Sequence, residues 1–491
     1  MISVFVKEQK RYTQDDLVKL FQCSSEKAVK LIRKLKQFGV LKSVKSSDIQ
    51  KNMTDLLDVD IDVADVEIGD SSHYYIFTFV GVILIGDKLV LKCYPKYIFS
   101  KQQPQAEMKQ VMSVIAKYNR SIEQVINLNN GDSENTSFNL FSVILFLLKD
   151  FYEYGLYSNN EKLVEENGFG GILWERTIDT KLPIFSCGRP YYMNLLTSRA
   201  VNNENDYFHR LHKAVLTDCS NKLIETQLFD IFDLEPIQLT DDKISDFGDI
   251  DYILNRINGE LSVQFNTRKQ IILKTIYSYI SSEKQVFEKD DNISMFGTNS
   301  FNLVWEQVCS TVFKNMLHKK LKELPLSLCE NYKNRENSEL IDIIQKPEWM
   351  ITQDLNIVKI HRASDTLRPD LITISGKTFS IFDAKYYNIS MNENMLSGQP
   401  GIESITKQYL YQLAYKDFIK SHGFEKVINC FLFPIEKDEY IDKGYTELKM
   451  LHALDLENIA VKLLPAKHIF DAYLSGKTLD ISIPKTLSNF S

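Results

Sequence analysis

The sequence predicts a mixed α/β chain of α+β layout whose C-terminal part is a mixed β-sheet flanked by helices. Three observations predict it: an α-β-β-α order from about residue 300 to 415, a β-rich stretch over 74–94, and helical periodicity over 105–160. The chain has 491 residues, room for two to four domains of about 150 residues each. Apolar residues make up 44% and charged residues 25%, a balance that excludes wholesale disorder and collagen-like repeats.

Taken in order, Thr13 can cap a helix over 14–22, and Ser24 or Ser25 a second over 26–37 with an Ala28, Leu31, Ile32, Leu35 stripe. Gly39 ends it and a strand begins at Val40, the pattern of a winged helix-turn-helix over 1–50. Lys27, Lys30, Arg33 and Lys34 on the second helix are candidate DNA contacts, but winged helices also dock proteins, and the sequence leaves both readings open. Residues 1–50 carry eleven Lys/Arg against five Asp/Glu, and 51–70 one Lys against seven acids, so a basic head precedes an acidic linker.

A third region, 71–297, is β-rich and then helical. Its strands YYIFTFVGVILI and KLVLKCY flank a Gly86-Asp87 turn, and a polar loop lies at 127–136. Gly168, Gly170 and Gly171 precede Ile172-Leu173-Trp174, read as a turn and strand rather than a phosphate cradle. His209 and His212 have helical spacing without a third ligand nearby and read as surface residues; Phe151, Tyr152, Tyr154 and Tyr157 read as core.

The chemistry concentrates in 298–491. Leu303, Val304, Val308, Val312 and Phe313 build an amphipathic helix with Glu306 on its margin. Leu371–Ile374 and Thr378–Lys385 then form two strands around Ser375-Gly376-Lys377. Alternation puts Asp383 and Lys385 on one face, and the hairpin folds Asp370 back towards Asp383. Two carboxylates and an ammonium at one point suit phosphodiester hydrolysis with a hard divalent cation, Mg2+. Pro369-Asp370, twelve residues, then Asp383-Ala384-Lys385 is the PD-(D/E)xK pattern. A following helix with Gln408, Gln412 and Tyr415, and a crossover to a strand over 427–433, complete the order of a restriction-endonuclease-like core.

The words Arg368-Pro369-Asp370, Phe382-Asp383-Ala384-Lys385-Tyr386-Tyr387 and the run from Ile405 to Tyr415 resemble the LlaJI restriction endonuclease family, itself similar to McrC, the nuclease subunit of McrBC restriction systems. Val80-Gly81-Val82, Tyr94-Pro95-Lys96 and the run from Gly171 to Ile178 extend the resemblance over about 74–435. It implies a magnesium-dependent DNA endonuclease subunit of a restriction system, cutting foreign double-stranded DNA together with a McrB-like, GTP-hydrolysing AAA+ partner. Carried over by position, Asp370 and Asp383 are metal ligands with Glu306 as accessory acid, Lys385 is the catalytic lysine, and Gln412 with Tyr415 is the helix motif beside the site. Gln408 is the alternative to Gln412. The other class of function is a regulatory adaptor that stimulates the partner's GTPase without cutting; an intact Asp, Asp, Lys set argues against it.

Two Ser-Gly-Lys-Thr words, at 375–378 and 475–478, have Leu371 and Asp471 where a Walker A loop needs its first glycine, so both read as turns and the motor is expected on a partner. Seven cysteines, widely spaced and never Cys-x-x-Cys, read as core residues of a reducing compartment. With no apolar run of membrane length and no leader pattern, a cytoplasmic location away from membranes is expected. One site cuts one strand, so a double-strand break calls for two nuclease domains to meet.

Overall fold

The first helix starts where its capping chemistry requires. The Thr13 hydroxyl accepts from Asp16 N–H at 3.1 Å and the Asp16 carboxylate accepts from Thr13 N–H at 2.9 Å, a reciprocal box that satisfies two helix-end donors. The computed structural model describes residues 2–45, 73–85, 89–126, 140–202, 205–225, 228–232, 234–287, 293–353, 356–393 and 395–481. The acidic linker, the Gly86-Asp87 turn and the polar loop at 127–136 lie outside these residues.

Strand β1 is Ile2–Lys7; helices α1 (Gln14–Phe21) and α2 (Ser25–Gln37) follow. α2 buries the predicted stripe of Ala28, Leu31, Ile32 and Leu35. Gly39, at φ +67°, supplies the left-handed turn out of α2, and β2 (Leu41–Lys45) pairs antiparallel with β3 (His73–Phe77). β4 (Val80–Ile85) and β5 (Leu89–Tyr94) come next, with β1 parallel to β5, before α3 (Gln105–Ile126).

The described residues of 135–296 form a compact unit with 84 and 85; those of 2–83, 89–134 and 297–481 form another. The division departs from the sequence-based boundaries, because 89–126 joins the C-terminal region rather than the helical stretch after it. The first unit holds helices Leu140–Tyr154, Tyr207–Glu225, Ile250–Val263 and Thr267–Phe287, and a sheet in which Leu196–Asn202 lies between Asn160–Glu166 and Gly171–Ile172. Trp174 opens a short helix, Trp174–Thr180, so the Gly-rich turn is followed after two strand residues by a helix and not by a continuing strand. The histidines are also placed differently from their surface reading. His209 Nδ1 bonds Tyr157 O at 2.7 Å, Tyr157 N–H donates to His212 Nδ1 at 3.0 Å, and both rings are buried. Tyr152 and Tyr154, read as core, are exposed, while Tyr157 is buried.

The second unit carries the helix, hairpin and crossover read from sequence. Helix α4 (Phe301–Val312) precedes β6 (Leu371–Ser375) and β7 (Thr378–Ala384); α5 (Ile402–Ser421), β8 (Lys426–Ile435), β9 (Ile441–Thr446), β10 (Ile459–Pro465) and α6 (Ala466–Ser475) follow. The five strands lie in the order β6-β7-β8-β10-β9. β6 and β7 are antiparallel, β7, β8 and β10 mutually parallel, and β9 antiparallel at the far edge. The parallel step from β7 to β8 needs a crossover, and α5 provides it. One apolar cluster joins Phe379 and Ile381 to Tyr415 and Phe418 of α5. Trp305 of α4 is fully buried, its indole N–H donating to Leu432 O at 3.3 Å; burying each such aromatic contributes about 2–3 kcal/mol. No described helix is long and apolar enough to cross a membrane. Four cysteines are buried and all seven are free, but Cys187, read as core, is exposed.

Candidate active site

The hairpin that carries the acids is locally determined. Gly376, at φ +55°, takes the left-handed position of a two-residue turn, which sets the register Leu371↔Phe382 through Ser375↔Thr378. Phe379, Ile381 and Asp383 alternate onto one face of β7. Register then brings the residue before β6 opposite the end of β7, where the Asp370 carboxylate accepts from Ala384 N–H at 2.9 Å. The Lys385 ammonium lies 2.9 Å from the Asp383 carboxylate, and Lys385 N–H continues the ladder to Leu432 O at 2.9 Å. Three of the expected residues therefore meet at one strand end.

Glu306 belongs to the same cluster. Burial, then the charge of Asp383, pushes its carboxyl up to about 7, with Lys385 opposing. Asp370 is raised well above the ordinary aspartate value by burial, by the charge of Asp383 and its hydrogen bond, and by Glu306. Burial alone would lower the Lys385 ammonium, but Asp383 and Asp370 outweigh it and hold the pKa above the usual lysine value. The cluster is thus a set of crowded, buried carboxyls whose ionisation burial and mutual charge oppose, with one protonated cation against it. Among the described residues no three His, Cys, Asp or Glu side chains close into a ready metal cage.

The helix motif is placed differently. Gln412 turns to β8, its Oε1 accepting from Asn429 Nδ2 at 3.3 Å and Glu457 N–H at 3.1 Å. Tyr415 lies in the apolar cluster, its hydroxyl donating to Leu340 O at 3.1 Å. Neither is brought to the acids, because i+4 steps from Gln408 run along the side of α5 that packs on the sheet interior. Gln408 is the glutamine that touches the Asp383 strand, donating to Ile381 O at 3.2 Å, and its own Oε1 is buried without a partner. The side chain that sequence reading missed is Tyr411. Burial, then the charges of Asp383 and Asp370, raises its phenol, so it lies within the field of the acids; its signal in the sequence is the i+3 step from Gln408.

Two further supports carry no local signal. Asn315 clamps β6: its Nδ2 donates to Asp370 O at 2.8 Å and its Oδ1 accepts from Ile372 N–H at 3.1 Å. Glu8, just past β1, is buried, and its carboxylate accepts from Tyr386 Oη at 2.5 Å and Lys96 N–H at 3.0 Å. The Lys96 ammonium lies 4.5 Å from the Tyr386 ring centroid, so the Tyr94-Pro95-Lys96 word is joined to the residue after Lys385. Burial raises the Glu8 pKa, with Lys96 opposing. Lys27, Lys30 and Arg33 are exposed on the outer face of α2 and Lys34 is half-buried; the structure does not bring them to the acids.

Comparison with known proteins gives the class first: the chain is a restriction-system nuclease. It belongs to the LlaJI restriction endonuclease family, whose model matches residues 79–467. It is 29% identical over 420 residues to the Type II restriction enzyme BsuMI component YdjA of Bacillus subtilis (strain 168), 83% of each chain. Among solved structures it is similar to a half-complex of Thermococcus gammatolerans McrB AAA+ hexamers with bound McrC, at 15% identity and TM-score 0.38, over 96% of this chain and 99% of that one. A second likeness is to the McrBC complex of the same organism, at 14% identity and TM-score 0.25, over 63% and 86%.

Proposed function

We propose that this chain hydrolyses phosphodiester bonds of foreign double-stranded DNA as a PD-(D/E)xK nuclease, at Asp370, Asp383 and Lys385 with Mg2+, and works with a GTP-hydrolysing AAA+ partner in a McrBC-like restriction system. The observation that carries the reading is the convergence of Asp370, Asp383 and Lys385 at one strand end, with Glu306 against them. Restriction comes from the family to which the chain belongs. The partner comes from the resemblance to McrC.

The donor set fits magnesium. All are hard carboxylate oxygens, and their ionised forms, which burial and mutual charge oppose, are what a divalent cation would stabilise. Magnesium is commonly held by one or two carboxylates with waters and substrate phosphate completing the shell, so Asp370 and Asp383, with Glu306 beside them, suffice without a closed cage. When bound, the ion supplies positive charge opposite the scissile phosphate. Lys385, its ammonium 2.9 Å from the Asp383 carboxylate, is placed to orient the attacking water and to face the charge developing on the phosphate. Asn315 and the Ala384 N–H hold Asp370 in place before substrate arrives. A double-strand break needs two such sites, hence two copies of the nuclease domain.

The test is cleavage of unmodified plasmid by the full chain with its AAA+ partner, magnesium and GTP, with Asp383→Ala alongside. Cutting by the wild type alone, dependent on partner and GTP, supports the reading. If neither protein cuts while both raise the partner's GTP hydrolysis, the chain is a regulatory adaptor and the reading fails.

A further inference from the structure

The helix that carries Glu306 ends in an unusual way. Asn315 N–H bonds Ser310 O at 2.9 Å and Lys314 N–H bonds Thr311 O at 3.4 Å, the paired closure of a Schellman motif. The residue between helix and closure must adopt left-handed backbone, where glycine is the ordinary occupant. Here it is Lys314, at φ +56°. An L-residue is disfavoured there, and the surrounding contacts of Asn315 and Met316 hold it in place.

Lys314 opens the segment Lys314-Asn315-Met316-Leu317-His318-Lys319-Lys320-Leu321-Lys322, four lysines and no acid in a chain of net charge −7. The segment is fixed against the strand of Asp370, through the Asn315 clamp and through Met316 N–H to Ile372 O at 2.8 Å. Lys314, Lys319 and Lys320 are exposed, and among the described residues no hydrogen bond or ion pair engages their ammonium groups. Some exposed lysines of this unit sit on glutamates, Lys333 on Glu330, Lys377 on Glu425 and Lys407 on Glu403, whereas Lys314, Lys319 and Lys320 stand together without such a partner on a segment tied to the Asp370 strand. Across from the segment, Arg368, two residues before Asp370, donates to the His318 ring at 3.0 Å, and both line a cleft of about 1100 Å³.

We propose that Lys314, Lys319, Lys320 and Arg368 form a phosphate-binding rail that seats the backbone of duplex DNA beside the acids. This rests on the nuclease reading and adds to it the surface that holds the substrate. Exposed cations without acid partners of their own, on a segment held against the strand of Asp370, match a polyanion whose binding is sequence-independent and salt-sensitive. The strained lysine follows: glycine would close the helix better but would leave the phosphate nearest Asp370 without its cation.

The experiment measures binding of the full chain, in an Asp383→Asn background that cannot cut, to two unrelated 30-base-pair duplexes from 50 to 200 mM salt. Lys314→Gly and the Lys319→Gln, Lys320→Gln pair are compared with the parent. The expected result is weaker binding by the same factor on both sequences, with the slope of log affinity against log salt reduced by about one per lysine removed. Lys314→Gly is also expected to melt no lower than the parent, which separates lost contact from lost fold. Unchanged affinity and slope in Lys314→Gly overturn the proposal, as does a parent that binds no duplex. If the wild type cuts plasmid but the slopes do not move, the rail fails and the nuclease stands; if the slopes fall but no condition yields cutting, the nuclease reading fails and the rail stands.

Discussion

Each compact unit buries a cluster of titratable groups, and the two clusters are built on opposite terms. In 135–296, His209 and His212 close on the carbonyl and N–H of one residue, Tyr157, and Asp150 meets Arg268 at 2.7 Å. His209, Asp150 and Arg268 are paired there with backbone or opposite charge, while His212 accepts at Nδ1 and keeps Nε2 buried without a partner. At the end of β7, Asp370, Asp383 and Glu306 face one another with a single lysine among them, so like charges are left opposed. Burial of ionisable groups is structural where each finds its complement. Where carboxyls are crowded together without enough opposite charge, their raised pKa values mark ionisation that a bound cation would favour.

The largest effect is expected from Asp370→Asn. Cleavage is expected to fall by about a thousandfold, while thermal stability holds or rises because a source of like-charge repulsion is removed. A loss of stability equal to that of an ordinary core substitution would make the acid cluster structural, like the histidines.

The histidine cluster should instead respond to acid. Burial lowers the His212 pKa to about 3, so its contribution to stability is fully present above the unfolded value near 6.5 and is lost as pH falls from 6.5 towards 3. Each pH unit in that window removes about 1.4 kcal/mol. The melting temperature of the wild type is expected to fall more steeply than that of His212→Leu between pH 6.5 and 5; parallel curves would remove His212 as the cause.

The smallest expected effect separates two tyrosines of α5. Tyr411→Phe should lower the cleavage rate about tenfold with little change in melting, and Tyr415→Phe should cost about 1 kcal/mol through its lost bond to Leu340 O with little change in rate. The reverse pattern would restore Tyr415 to the site.

These tyrosines show where sequence reading stopped. The hairpin was legible because a glycine turn and two-residue alternation act over a few residues, and they carry Asp370, Asp383 and Lys385 together. Thr13 announced the start of α1 for the same reason. By contrast α5 buries Gln408, Tyr409, Tyr411, Gln412 and Tyr415, so its polar and aromatic residues do not sort into an inner and an outer face. Its roll over β7 is decided by Phe379 and Ile381 packing against Tyr415 and Phe418.

Sequence alone determined the acids, the lysine and the strand order around them, since short-range turn geometry and strand periodicity dictate those neighbours. Only the tertiary structure decided that Tyr411 lies within the field of the acids, that Asn315 grips the Asp370 strand from 55 positions away, and that Glu8 reaches Tyr386 across 378. Such contacts depend on how whole elements pack, and side-chain complementarity across a fold leaves no period in the chain to read.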